Sequence, residues 1–183
     1  MGIEKLKTEY TIDLLWRGFP LHPEVPGEGI STEALFANRS VDIENMRNRM
    51  KETAALVGLP LTRRGMVYNS RLAQELGFWA EAQNSGDAFH KAVFNAYFAD
   101  GRNIGDIEVL VDVARSVGLP ADDAQDVLTS RAYKPAVDLD WSLARSYNIH
   151  VVPTFVMNNH GLFGMQPYET LERFVISQGA AKR

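Results

Sequence analysis

Asn148-Ile-His-Val-Val-Pro-Thr-Phe-Val-Met157, followed by Phe163-Gly-Met-Gln-Pro167, places a proline at the mouth of a β-strand in a chain without cysteine. Proline has no N–H to give a ladder, so Pro153 marks the entry of a strand over Val151–Met157. The Val152–Pro153 bond is read as cis, a form found mainly before proline and there for its geometry. Asn158-Asn-His-Gly161 tolerates the positive φ of a hairpin turn and leads to a second strand over Gly161–Met165. Pro167 then opens a closing helix, at a position where its missing N–H costs nothing.

Working outward, Ile12-Asp-Leu-Leu-Trp-Arg-Gly-Phe19 alternates imperfectly and is read as a strand, ended by Pro20, Pro23, Pro26 and the nearby glycines. Gly2–Glu9 reads as the last turns of a helix, with Ile3 and Leu6 on one side. Between Ser31 and Tyr147 the pattern is helical almost throughout, interrupted at Gly58-Leu-Pro60, Asn84-Ser-Gly86, Asp100-Gly101, Gly118-Leu-Pro120 and Lys134-Pro135. In Val41–Val57 the residues Ile43, Met46, Met50, Ala54 and Val57 form an amphipathic stripe. Asn69 or Ser70 is placed to cap the helix carrying Leu72, Leu76 and Trp79. Trp16, Trp79 and Trp141 are expected in the core.

The 183 residues carry a formal charge of −4, 45% hydrophobic residues and no block of basic residues longer than Arg63-Arg64, which argues against nucleic-acid binding. Zero cysteines exclude disulfides, thiolate-ligated metals and thiol nucleophiles within these residues. No apolar run approaches the ~20 residues of a membrane span, and Met-Gly-Ile-Glu-Lys-Leu-Lys lacks a signal peptide's apolar centre. The expected location is cytoplasmic, without membrane or metal partners.

Five segments in order carry a family resemblance: Trp16-Arg-Gly-Phe-Pro-Leu-His-Pro-Glu24, Asn69-Ser-Arg-Leu-Ala-Gln-Glu75, Phe94-Asn-Ala-Tyr-Phe-Ala-Asp-Gly-Arg-Asn-Ile104, Val152-Pro-Thr-Phe-Val156 and Phe163-Gly-Met-Gln-Pro167. The chain resembles DsbA-like thioredoxin-fold proteins of the FrnE-like branch, with Gln74 where that family often has histidine and Val151 where it often has glycine. The resemblance implies an α/β thioredoxin-like sheet with a large all-helical insertion. Residues 1–30 and 148–183 would form the α/β subdomain and 31–147 the insertion. The family's first strand and its Cys-x-x-Cys motif are not among these residues. Their absence predicts that Ile12–Phe19 pairs directly with Val152–Met157, or that a neighbouring chain supplies a strand; either outcome favours a homodimer.

The family function implied is thiol–disulfide oxidoreductase or isomerase, which depends on a cysteine of lowered pKa and a resolving partner. Without cysteine the chain as written is redox-inert, and no catalytic residue, cofactor or metal ligand is named. Two alternatives stay open: a glutathione-dependent isomerase or transferase of the kappa-class, 2-hydroxychromene-2-carboxylate isomerase type, and a non-catalytic binding or scaffold protein. The resemblance puts a peptide, thiol or glutathione-like ligand against Val152, Pro153 and Thr154, with Asn69 and Arg71 near the cleft. His22, in its proline-rich loop, is read mainly as a solvated histidine set against Trp16 and secondarily as a site residue. His150 and His160 stand at opposite ends of one strand, a poor arrangement for a shared metal.

Overall fold

Acceptor side chains, glycines and prolines cut the chain into its elements. In order these are α1 (Gly2–Glu9), β1 (Ile30–Ser31), α2 (Thr32–Leu35), α3 (Ile43–Leu56), β2 (Met66–Val67), α4 (Arg71–Ala82), α5 (Gly86–Phe94), a π-helical turn (Asn95–Ala99), α6 (Ile107–Ser116), α7 (Ala121–Ser130), α8 (Lys134–Ser146), β3 (Thr154–Met157), β4 (His160–Phe163) and α9 (Tyr168–Ser177). The computed structural model describes residues 2–183. Two compact units result, one of Met1–Phe19 with Asp140–Arg183, the other of Pro20–Leu139.

The second unit is helical because its helices start and stop on local chemistry. Asp42 accepts from the Asn45 N–H at 3.0 Å ahead of α3, and Asp106 accepts from the Glu108 N–H at 2.8 Å ahead of α6. Each satisfies donors that a helix start leaves without intrahelical partners. After α6, Gly118 takes φ +81°, a conformation glycine adopts without a Cβ penalty. The core is an apolar layer in which Leu76, Ala80, Leu110, Ala114, Ala124 and Leu128 have no exposed surface. The strands β1 and β2 pair antiparallel through Ile30↔Val67 and Ser31↔Met66. The α3 stripe is different: the helix forms, yet none of its residues is buried, and Met50 remains 42% exposed.

In the first unit, β3 and β4 form an antiparallel hairpin with Met157 opposite His160. Its two-residue turn has Asn158 at φ 49° and Asn159 at φ 64°, the left-handed pair that suits the twist of adjacent strands. The ladder begins at Thr154 and ends at Phe163, shorter than the sequence pattern suggests at both outer ends. Leu6, Tyr10, Leu171 and Val175 are buried together, with Phe155, Met157 and Leu162 packed against them.

Ile12–Phe19 is not a strand. Thr11 donates to the Ala181 carbonyl at 2.8 Å and Tyr10 bridges to Lys182, after which residues 11–20 carry no ladder. The expected pairing of this segment with Val152–Met157 is therefore overturned. Leu15 is 70% exposed and Trp16 40%, so Trp16 is not the core aromatic the sequence suggests, whereas Trp79 is buried. Alternation describes which side chains share a face, and a strand also needs a neighbouring strand to form a ladder with.

Two tyrosines fasten α1 to α9. Tyr10 donates to Glu172 at 2.8 Å, Tyr168 donates to Glu9 in a short hydrogen bond, and the Lys5 ammonium sits 3.9 Å above the Tyr168 ring. The hydrogen bond to Glu9, then burial and the Glu172 charge, push the Tyr168 phenol well above its ordinary range; the bond to Glu172 raises Tyr10. A raised phenol pKa means that the native state keeps its proton while the unfolded chain releases it. This contribution to stability is present below about pH 10 and is lost as pH rises further. Thermal unfolding followed between about pH 9 and pH 11 should show a steeper loss of stability for the native chain than for Tyr168→Phe.

Candidate functional site

Within the first unit the backbone around Pro153 is shaped by three hydrogen bonds and one omission. The Val152–Pro153 bond is cis, the Pro153 carbonyl accepts from the Gly164 N–H at 2.8 Å, and the Thr154 hydroxyl donates to the Val151 carbonyl at 2.6 Å. Gln166 returns a side-chain donor to the Phe163 carbonyl at 2.6 Å. Val152 is omitted from this network: among the described residues nothing pairs with its N–H or C=O. Its side chain and that of Val151 are 40% and 44% exposed. A main-chain donor and acceptor thus stand open beside two exposed apolar side chains.

The same unit holds its irregular segment with a buried carboxylate that residue types and spacing do not reveal. Asp140, 4% exposed, accepts from the Gly18 N–H at 2.7 Å and from Arg17 at 3.1 Å. One side chain on α8 thereby performs for Arg17-Gly18 what a ladder would have done.

In the second unit Asn69 and His22 belong to one local arrangement. The Asn69 amide donates to the Val25 carbonyl at 2.7 Å and to that of Pro23 at 3.3 Å, while its oxygen accepts from the Arg71 N–H at 2.9 Å. Asn69 therefore both pins the proline-rich loop and caps the start of α4; Ser70, the other candidate, makes no capping bond. His22 lies in that loop, its Nδ1 3.5 Å from Glu24 and its ring edge toward Phe36 at 6.5 Å.

Arg71 enters an ion-pair cluster. Its Nε donates to Glu75 at 3.0 Å, and its Nη2 donates to Asp138 in a short bond and to the Lys134 carbonyl at 3.5 Å. Glu75 is 1% exposed and also accepts two hydrogen bonds of 2.7 Å from Arg131. The bond to Glu75 raises the Arg131 pKa, and the bond to Arg71 lowers that of Asp138. The i,i+4 spacing of Arg71 and Glu75 was visible in the sequence; Arg131, 56 residues further on, was not. On α5, burial pushes the His90 imidazole down, opposed by the Asp87 charge. Among the described residues, no three His, Asp or Glu side chains gather as metal ligands, and no helix is long and apolar enough to cross a membrane.

This geometry falls within a known class. Residues 1–175 match the DSBA-like thioredoxin domain, and the chain belongs to that family. It is similar to the probable DsbA oxidoreductase SCO1869 of Streptomyces coelicolor, with a TM-score of 0.84, 25% identity, and 92% of this chain and 76% of that one covered. The fold likeness extends to a 2-hydroxychromene-2-carboxylate isomerase (TM-score 0.63, 21% identity, 80% and 74% covered). It also extends to the cytosolic disulfide reductase DsbM of Pseudomonas aeruginosa, solved with GSH (TM-score 0.56, 18% identity, 76% and 77% covered). In sequence it is 29% identical over 114 residues to the uncharacterized protein YwbO of Bacillus subtilis (strain 168), a match over 61% of this chain and 56% of that relative. The chain thus matches little more than half the length of YwbO.

Removing Glu75 tests the cluster. Glu75→Ala removes the acceptor of both Arg131 bonds while Arg71 keeps Asp138, and urea unfolding should show a loss of about 1–3 kcal/mol.

Proposed function

We propose that this chain holds an extended peptide, or a thiol compound with a peptide backbone such as glutathione, along the Val151–Thr154 segment without itself exchanging disulfides. The observation that carries the reading is the open N–H and C=O of Val152, beside Pro153. A peptide main chain laid alongside can complete both bonds as an added strand would, which orients it, while the exposed Val151 and Val152 side chains supply apolar contact. Membership of the DSBA-like thioredoxin family favours this location for a ligand. Likeness to a disulfide reductase solved with GSH favours glutathione among the thiol compounds.

The chemistry of the family is another matter. Thiol–disulfide exchange proceeds by attack of a thiolate on a disulfide sulfur, and these 183 residues contain no sulfur nucleophile of that kind. In this proposal the chain is a FrnE-like member of the oxidoreductase and isomerase lineage that holds its ligand without exchanging disulfides. Its substrate is recognised mainly through backbone, with Pro153 fixing the direction of the segment and Thr154 tying it to Val151.

The test is an amide-resolved NMR titration of the full chain with reduced glutathione, oxidised glutathione and an extended peptide lacking cysteine. Saturable shifts at Val152 and Thr154 are expected, along with insulin-disulfide reduction no faster than the buffer rate. If all three ligands leave Val151–Thr154 unmoved, the holding function is wrong. Retention on immobilised glutathione with no response to the peptide would move the reading to the glutathione-dependent isomerase type.

A further inference from the structure

The second unit contains a pocket of about 270 Å³ lined by Thr62, Arg63, Arg64, Tyr68, Asp100 and Gly101 among others. By this measure one water needs ~10–15 Å³, so the pocket has room for a small polar head group. Arg64 is the unusual member. Its guanidinium lies 3.9 Å from the Tyr97 ring centroid and 4.5 Å from that of Phe98, yet no carboxylate pairs with it among the described residues. Arg63 differs: it is bound to Glu44 at 2.9 Å, with its side chain 75% exposed.

The Arg64 position is built from several sides. The π-helical turn carries both Tyr97 and Phe98, and its Phe98 carbonyl accepts from the Thr62 N–H at 2.8 Å. The Arg64 carbonyl accepts from Arg47 at 3.4 Å, and the Gly65 carbonyl from the Thr32 N–H at 2.9 Å. Gly101, at φ +69°, turns the chain close against Thr62 and Arg64. Contact with both rings restrains the guanidinium, whose N–H donors form a fork that matches a carboxylate.

Asp100 lines the same pocket and makes no ion pair among the described residues, with Arg64 or with any other cation. One unpaired cation and one unpaired anion in a small polar pocket disfavour a dianion such as phosphate. They suit a ligand that carries a carboxylate and an ammonium together. We propose that the Arg64 pocket binds the α-amino-acid head group of a small molecule, with the carboxylate on Arg64 and the ammonium toward Asp100. This site uses different residues from the Val152 segment, so either can fail without the other.

The test is an amide-resolved NMR titration of the full chain with L-alanine, acetate, methylammonium and inorganic phosphate. Saturable shifts at Gly65 and Gly101 are expected with alanine, with acetate weaker by about tenfold, the scale of one charge-assisted contact. Arg64→Gln should weaken alanine about tenfold or more. Arg64→Lys, which keeps the charge and loses the fork, should lose most of the binding with the rest of the spectrum unchanged. Asp100→Asn should narrow the gap between alanine and acetate. Tighter binding of γ-glutamylglycine than of alanine would identify a γ-linked peptide as the source, and the reverse a free amino acid; both support the proposal. It is overturned if alanine gives no shift at these glycines, if alanine and acetate bind equally, if phosphate displaces alanine, or if Arg64→Gln binds like the native chain.

Discussion

A carboxylate buried in an apolar helical layer is the constraint on which the second unit is organised. Glu75 has 1% of its surface exposed, beside Leu76 with none. An isolated charge there would be strongly unfavourable, so its partners must be brought to it in good geometry. Arg71 arrives from one turn earlier on the same helix. Arg131 arrives from the end of α7, where its backbone takes a left-handed φ of 56°, and presents two donors at 2.7 Å. Arg71 then passes the connection to Asp138 and the Lys134 carbonyl at the start of α8. A single buried charge thus sets the mutual register of α4, the end of α7 and the first turns of α8. It also engages Arg71, which the family resemblance nominates as a ligand-side residue.

How legible these features were depends on how local their physics is. The helices were readable where apolar spacing runs up to a left-handed glycine, as at Gly58 and Gly118; the capping acceptors Asp42 and Asp106 were not singled out. The hairpin was readable because Asn158 and Asn159 tolerate the turn's φ values. Ile12–Phe19 was misread because alternation reports which side chains could share a face and is silent on whether a neighbouring backbone exists. The segment solves its polar accounting otherwise, with Asp140 taking the Gly18 N–H. The α3 stripe is a related case: periodicity forecast the helix, and whether its apolar face is covered is a property of the rest of the molecule.

The candidate site divides along the same line. Pro153 announced itself, because a proline beside β-branched and aromatic residues has few places to stand. The open main-chain groups of Val152 could not be read from residue types, since every non-proline residue carries them and only the fold decides which are left unpaired. Asn69 was visible as a cap but not as the anchor of the Pro23–Val25 loop, which lies more than 40 residues away. Arg64 figured in the sequence only as half of the Arg63-Arg64 pair, because the π-helical turn that brings Tyr97 and Phe98 close to its guanidinium leaves no signature as plain as a cap or a proline.

Magnitudes limit what the Val152 segment can do alone. Two main-chain hydrogen bonds contribute on the order of 1–3 kcal/mol together after exchange with water. A dissociation constant of 1 mM already requires about 4 kcal/mol. Backbone pairing therefore orients a ligand without holding it, and the remainder must come from apolar burial. Val151 and Val152, each about two-fifths exposed, offer that area, at ~25 cal/mol per Å² removed from water. Recognition built this way asks little of the ligand's side chains and nothing of a thiol on the protein. Holding and exchange are thus separable physically, because main-chain pairing and apolar burial require no thiol.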